Sequence, residues 1–394
     1  MIELNLDQTY QMNIERLKSI FKDLYQDEPL LVKSPGRINI IGEHTDYNEG
    51  FVLPAAIDKA IYVAISKRKD DEIHLFSESY QQSHVAKVAD IQKSDKGWAN
   101  YILGVASEIQ KRGYTFGGFN IYIDGNVPLG AGLSSSAALE CATGFAIDQL
   151  FGLDIPKMDI ALIAQKAEHN FAGVNCGIMD QFASVFGKKD RAVMLDCRSM
   201  EYEYIPLELE GYKLVLLNTN VKHSLSDSAY NKRREQCEQG VAWVKAHHPA
   251  VNSLRDVTVA MLDEFVKPQD SEVYSKCRYV VEEIGRLTTA AQELKSGNLQ
   301  ALGTLMFQTH EGLSKAYEVS CEELDFLVDS VKNLEGVLGA RMMGGGFGGC
   351  TINIVKNEVI EELIENISKA YQQKFGLKLD AYVVESADGT SQIV

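Results

Sequence analysis

The chain reads as an α+β protein in two domains, on three observations. Apolar residues recur at strand spacing and at helix spacing, in mixed order, along the whole chain. Its 394 residues suffice for about two domains, each able to bury a core of its own. The composition, 45% hydrophobic and 24% charged, is that of an ordinary globular chain. There are eight prolines and no low-complexity linker or repeat, so no segment marks the division sharply. The reading places it near residue 205, giving domains over 1–205 and 206–394.

Taken in order, Tyr10, Ile14, Leu17, Phe21 and Leu24 fall at helical spacing and predict a first amphipathic helix. Strands follow over 31–33, 38–41, 61–65 and 73–76. A helix over 98–112 is stopped by Gly113. An alternating strand over 119–123 leads into a Gly-rich loop and a helix. Pro156 opens another helix, which runs to about residue 170. A short helix within 177–187 precedes strands over 192–197, 202–205 and 212–218. From 226 to about 317 the pattern is mostly helical, with loops near Pro249 and Pro268. The last segment carries strands over 339–343, 351–355 and 381–385 and a helix over 358–373.

The formal charge is −16, from 39 basic and 55 acidic residues. Such a surface repels nucleic-acid backbones and anionic membranes, which excludes broad electrostatic binding to either. It leaves a phosphate ligand open, because helix N-termini and a metal ion supply local positive potential. The seven cysteines are scattered, with no C-x-x-C pair, so neither a disulfide framework nor a zinc site is expected. That usage predicts a reduced, cytoplasmic protein. The acidic start of the chain is not that of a secretory signal, and no stretch reaches the ~18 apolar residues of a spanning helix.

Three stretches stand out chemically. In "GRINIIGEHTDYNEG" (36–50) an apolar run gives way at Gly42 to Glu43, His44, Thr45, Asp46, Tyr47 and Asn48. So many hydrogen-bonding groups directly after a core strand point to a ligand site. "PLGAGLSSSAAL" (128–139) sets Gly130 and Gly132 ahead of Ser134, Ser135 and Ser136 and an apolar run. Glycines let backbone approach a ligand, and the free N–H groups of a helix start favour phosphate. A Gly-rich turn with a Ser cap accounts for the same pattern equally well. No G-x-x-x-x-G-K-[ST] occurs, so this is not a P-loop. "GGGFGG" (344–349) fits G-x-G-x-x-G, but a strand follows where the dinucleotide fingerprint needs a helix.

These stretches, with "GARMMGGGFGGC" (339–350) as the third, resemble the galactokinase branch of the GHMP small-molecule kinases. "WANYILG", "CGIMDQF" and "AYNKRREQC" add to the resemblance, which spans most of the chain. It implies an N-terminal domain like ribosomal protein S5 domain 2, a ferredoxin-like C-terminal domain and an active site between them. It implies ATP-dependent phosphorylation of α-D-galactose at the C1 hydroxyl, giving galactose 1-phosphate and ADP. That is the first committed step of galactose catabolism by the Leloir pathway. ATP is then the co-substrate and Mg²⁺ the metal, with no nucleic acid, membrane or protein partner, and the chain is expected to act as a monomer.

The resemblance also assigns residues. Asp180 matches the catalytic base, and its place in a short apolar helix suits a proton acceptor. Arg37 matches the residue that stabilises transition-state charge. Glu43, His44, Thr45, Asp46, Gly177 and Tyr230 match the sugar site. The loop Gly130, Ala131, Gly132, Leu133, Ser134, Ser135 and Ser136 matches the ATP phosphate site, with Ser77 and Trp98 on the adenine side. Ser136 and Glu168 match the Mg²⁺ ligands, hard oxygens in small number as that ion prefers. Read without the resemblance, Asp180 and Glu168 are ordinary helix acids, Arg37 a loop cation, and Trp98 and Tyr230 packing residues. Sister kinases acting on N-acetylgalactosamine, arabinose, mevalonate or homoserine are the nearest alternatives, but the last two lack "GEHTDYN". A catalytically silent galactose sensor is another. The intact Ser136-Ala137 pair and the presence of Asp180 favour an active enzyme.

Overall fold

The computed structural model describes residues 14–128, 130–222 and 226–393. Tyr10 of the expected N-terminal helix and Leu129 of the Gly-rich loop lie outside the described residues. Helix α1 (Ile14–Tyr25) precedes β1 (Leu30–Asn39), β2 (Phe51–Val52), β3 (Pro54–Lys67), β4 (Glu72–Ser77) and β5 (Gln82–Lys87). Next come α2 (Gly97–Lys111), β6 (Phe119–Gly125), α3 (Ser135–Phe151), α4 (Lys157–Ala167) and α5 (Met179–Phe186). Strands β7 (Arg191–Asp196), β8 (Tyr202–Pro206) and β9 (Tyr212–Lys222) follow. The helical stretch holds α6 (Ser226–Lys245), α7 (Val259–Phe265), α8 (Ser271–Lys295), α9 (Leu299–Glu311) and α10 (Glu322–Val331). The chain ends with β10 (Val337–Met342), β11 (Gly348–Lys356), α11 (Ile360–Phe375), β12 (Asp380–Val384) and β13 (Ser391–Ile393).

These strands form three sheets. The largest has the order β13-β1-β3-β6-β4-β5 and is antiparallel except where β4 meets β6. A small sheet, β2-β7-β8, flanks it. The third, β10-β11-β9-β12, is wholly antiparallel. Its four strands lie in the order second, third, first, fourth, with helices in the first and last connections, which is the ferredoxin-like arrangement. Small residues on α3, such as Ala142 and Ala146, let it pack closely among neighbouring helices and strands. One core runs from Ile38, Val63 and Ile121 through Ile147 to Leu214, Leu216, Ile352 and Ile354 of the third sheet. The two halves therefore share apolar packing, and β13 carries the end of the chain back beside β1.

Two departures from the expected elements shape the site. The strands expected over 31–33 and 38–41 are one continuous β1, with Ile40 and Ile41 beyond its end. β13 covers β1 only from Leu31 to Lys33, so Pro35 lies past that cover, where a residue without N–H is tolerated. A register shift between Pro35 and Arg37 marks a bulge, a device that re-aims the following side chain. The helix opened by Pro156 changes at its end into a π-helical turn, Glu168–Ala172. Such turns displace one face of a helix and occur often at functional sites.

Candidate active site

The 36–50 segment is built from its strand outwards. Past β1, Ile40 keeps a strand-like bond, its N–H donating to Leu53 at 3.0 Å. Gly42 then turns the chain with φ +95, against Leu287, which a Cβ there would meet at 2.2 Å. Thr45 closes the turn, its buried hydroxyl 2.9 Å from the Gly42 carbonyl and 2.5 Å from that of Phe51. Its side chain is thus occupied with backbone.

Glu43 is buried with Arg341, and Arg341 Nη1 donates to Glu43 Oε1 at 3.0 Å. The Gly344 N–H donates to the same oxygen at 2.8 Å. Arg341 also donates to the carbonyls of Ile40 (2.9 Å), Met342 (2.6 Å) and Asn39. A buried pair is tolerated when its remaining donors are satisfied in this way. Both donors to Glu43 take Oε1, which leaves Oε2 to other partners.

His44 adopts a left-handed backbone, φ +63. Its ring packs against Tyr230 on α6, with centroids 5.4 Å apart, and against Tyr317 at 4.8 Å. Burial pushes its pKa down to about 3, so the imidazole is neutral. Asp46 Oδ1 accepts the Tyr47 N–H at 2.9 Å. Its Oδ2 comes so close to Gly177 that a Cβ there would lie 1.7 Å away, so any side chain at 177 would push the carboxylate aside. Burial, then the charge of Asp180, push the Asp46 carboxyl up to about 6.

Asp180 lies in the first turn of α5, and Arg37 grips it with two bonds: Nε to Oδ1 and Nη2 to Oδ2, each 2.7 Å. Such a fork fixes both groups in one plane. Burial works against the Arg37 charge, but Asp180, Glu43 and Asp46 outweigh it and leave its pKa above the ordinary value. The third arm, Nη1, donates to the Gly132 carbonyl, and the Arg37 N–H donates to the Leu133 carbonyl at 3.1 Å. The Ser134 hydroxyl donates to Asp180 Oδ2. Asp180, Arg37 and the Gly-rich loop are therefore one hydrogen-bonded unit.

That loop bends through Gly130 (φ +74), Gly132 (φ +75) and Ser134 (φ +58) before α3 begins. Its first helical N–H groups have no i−4 partner in the helix. The 344–349 loop lies against it: a Cβ at Gly344 would meet the Gly132 carbonyl at 3.5 Å, and one at Gly349 would meet Ala131 at 3.4 Å. Behind the loop, the Ser136 hydroxyl donates to Glu168 Oε1 at 3.1 Å. Gln181 donates to Glu168 Oε2 at 2.8 Å and to buried Glu140 at 3.3 Å. Burial, then Asp180, push Glu168 up to about 7, and burial, then Glu168, push Glu140 well above the usual carboxylate range. Among the described residues no group of three or more His, Cys, Asp or Glu side chains could hold a metal by itself. The Ser136–Glu168 oxygens fit a hard cation that keeps most of its own water or phosphate ligands.

Sequence reasoning named most of this cluster: Arg37, Asp180, Glu43, His44, Asp46, Gly177, Tyr230, the loop and Glu168 come together. Ser77 and Trp98 meet each other through Gln82. Ser77 is in register with Gln82, whose side chain accepts the Trp98 indole N–H at 3.1 Å. Trp98 is also a core residue stacked on Tyr80 at 6.3 Å. Missed were Arg341, Glu140, Gln181 and Tyr317. A lone arginine in "VLGARM" and a lone acid in "SSAALECA" were signals, since buried charges need a reason. Tyr317 left no local signal.

Comparison with known proteins agrees with this geometry. Residues 19–67 match the family described as galactokinase galactose-binding signature. Residues 100–188 match the GHMP kinases N terminal domain, and 290–373 the GHMP kinases C terminal. A galactokinase of Thermotoga neapolitana is 46% identical over 362 residues, covering 92% of this chain and 99% of the relative. One from Bacillus subtilis is 39% identical over 396 residues, covering 96% and 99%. The crystal structure of Lactococcus lactis galactokinase complexed with galactose superposes with a TM-score of 0.93 at 34% identity, covering 96% of this chain and 100% of that one. Methanococcus jannaschii mevalonate kinase, at 18% identity and a TM-score of 0.64, shares the fold.

Proposed function

The chain belongs to the galactokinase family of the GHMP kinases, and from that premise we propose how its residues carry the reaction. The reaction moves the γ-phosphoryl group of ATP to galactose at its C1 hydroxyl, giving galactose 1-phosphate and ADP, as in the Leloir pathway.

We assign to Asp180 the proton of that hydroxyl. A carboxylate offers about four lone-pair sites. Arg37 Nε, Arg37 Nη2 and Ser134 use three of them, leaving one on Oδ1. As the hydroxyl oxygen bonds to phosphorus, its hydrogen passes to Asp180 and the bond to the ADP oxygen breaks. Asp180 later returns the proton to water. Arg37 holds the carboxylate in place and offsets charge developing on the transferred group. The amides at the start of α3, over Ser134, Ser135 and Ser136, hold the phosphates.

Glu43, His44, Asp46 and Tyr230 read the sugar, with Gly177 giving Asp46 its space. Thr45 acts on the sugar site through the turn it closes. We place Mg²⁺ with Ser136 and Glu168, where the ion when bound offsets phosphate charge. Ser77 and Trp98 are assigned to the adenine side. Seven free thiols support a reducing, cytoplasmic setting. Among the described residues, no helix is long and apolar enough to cross a membrane. The exposed large hydrophobic residues, among them Leu24, Val85, Tyr202 and Leu334, lie on separate elements, which supports a monomer.

The observation that carries this reading is the Arg37–Asp180 fork beneath the phosphate loop, with Asp46 packed beside it over Gly177. Calorimetric titration with galactose tests the sugar half. Asp46→Asn should weaken binding by about tenfold or more, the value of a lost hydrogen bond to a charged group. Unchanged affinity would remove Asp46 from the site.

A further inference from the structure

His44 is tied to a buried chain of hydroxyl and thiol groups that reaches away from the phosphate loop. Its Nδ1 lies 2.8 Å from the Tyr47 hydroxyl, and that hydroxyl lies 2.7 Å from the Tyr317 hydroxyl. The Tyr317 hydroxyl is 3.4 Å from the Cys237 sulfur. Tyr317 and Cys237 are fully buried. Tyr317 is fixed from its other side as well, its carbonyl accepting Arg233 Nε at 2.7 Å and its ring packing on Tyr279 at 4.8 Å. Packing alone would be served as well by phenylalanine at 47 and 317 and alanine at 237. None of the three has a part in the phosphoryl transfer.

Each link of this chain can run in either direction, as the tautomer of His44 sets. A neutral imidazole has one N–H and one bare nitrogen. With Nδ1 as the bare nitrogen, the Tyr47 hydroxyl donates to it. The Tyr47 oxygen then accepts from Tyr317, and the Tyr317 oxygen accepts from the Cys237 S–H, a weak donor. In that direction Nδ1 is bare and Nε2 carries the hydrogen. Nε2 is buried and has no hydrogen-bond partner in the described protein. The Gly345 carbonyl beside the ring favours a hydrogen on the imidazole.

We propose that Tyr47, Tyr317 and Cys237 are positioning residues for sugar recognition: their hydrogen-bond chain holds His44 as the Nε2–H tautomer and so presents it as a fixed donor to a sugar oxygen. The proposal rests on the reading of His44 as a sugar contact. A fixed donor selects a sugar oxygen whose own hydrogen points elsewhere, which a ring free to exchange tautomers does not. It also gives the "AYNKRREQC" stretch a task at its cysteine.

Tyr317→Phe and Tyr47→Phe keep both rings and remove one link each. Long-range ¹H–¹⁵N spectra of the full chain report which His44 nitrogen carries hydrogen, and steady-state kinetics report KM for galactose and for ATP. The wild type should show the Nε2–H form. Each variant should show a tautomer mixture, with KM for galactose raised about threefold to tenfold, as for one neutral hydrogen bond. KM for ATP should stay within about twofold, since the phosphate loop is untouched. Cys237→Ser, which restores a donor, should behave as wild type. An Nδ1–H form in the wild type, or an unchanged galactose KM in both Phe variants, would overturn the proposal. Should Tyr317→Phe fail to fold, Tyr47→Phe alone decides. His44→Ala separates the two readings: if it leaves galactose KM unchanged, the sugar contact itself is wrong; if it raises KM while the Phe variants do not, only the chain is wrong.

Discussion

Asp180 and Asp46 are neighbouring carboxyls with different surroundings, and the difference sets their work. Asp180 is held by a guanidinium fork and a serine hydroxyl. Asp46 has only backbone N–H groups against burial and the nearby charge. Replacing Asp180 by Asn keeps the shape and removes the acceptor, so kcat should fall about 10²–10⁴-fold with galactose affinity retained. Stopped-assay kinetics beside calorimetry would show it, and near wild-type turnover would take the base role from Asp180. For Asp46 the consequence is one of pH. Its pKa is about 6 in the folded chain against an ordinary 3.8. Between those values the folded chain holds a proton that the unfolded chain has released. The resulting stability is present below about pH 4 and is lost as pH rises through about 6. Keeping Asp46 ionised at neutral pH then costs on the order of 3 kcal/mol. Asp46→Asn should therefore gain stability of that order near pH 8 and almost none near pH 4, read by urea unfolding, while losing galactose binding. A destabilised variant at pH 8 would contradict the burial argument. Gly177→Ala should act on the same carboxyl by contact, raising KM for galactose by about tenfold or more and leaving KM for ATP nearly unchanged.

At the scale of elements, β1 and β10 are held together by one side chain. Arg341 joins the end of β1, Glu43 and Met342, while Gly344 follows on to the same carboxylate. Arg341→Met leaves Glu43 buried without its cation and should cost about 3–5 kcal/mol in urea unfolding. A loss under about 1 kcal/mol would mean that Glu43 finds other donors. How far such elements were legible depends on where their information lies. Helix α2, with Gly113 just past its end, and strand β6 announce themselves through periodicity and stop signals. β5 does not, because its one branched aliphatic residue, Val85, points to solvent and the rest is polar apart from Ala86. β13 is three residues long, too short for any period, and exists because β1 offers it an edge. The break expected at Ser34-Pro35-Gly36 is a bulge within one strand, which local residue preferences cannot tell from an end. The site was legible only by motif: Arg37 and Asp180 are 143 residues apart, and nothing local to either records the other. Tyr317 shows the limit, since a buried tyrosine in a helix looks the same whether it packs or relays a hydrogen bond.

For the molecule as a whole, the apolar core is continuous between the halves, and the site lies where β1, α3, α5, α6 and β10 converge. A net charge of −16 surrounds a site that must take an anionic nucleotide. Local donors, Arg37 and the start of α3, meet that need without altering the surface. ATP binding should accordingly strengthen as salt screens the surface, with KM for ATP falling modestly between about 0.01 and 0.15 M ionic strength. A rise over that range would mean that long-range attraction, and not the local donors, brings the nucleotide in. The proposed sugar groups make a sharper claim, because a sugar site of Glu43, His44 and Asp46 would leave buried polar atoms unpaired with the wrong acceptor. The direct test is an ADP-release assay with Mg·ATP across a sugar and alcohol panel of galactose, N-acetylgalactosamine, arabinose, mevalonate and homoserine. The predicted result is turnover with galactose, at a kcat/KM about 10²-fold or more above each of the others, and abolished to background in Asp180→Asn. Equal or faster turnover of another acceptor, or binding of galactose and ATP without release of ADP, would contradict it.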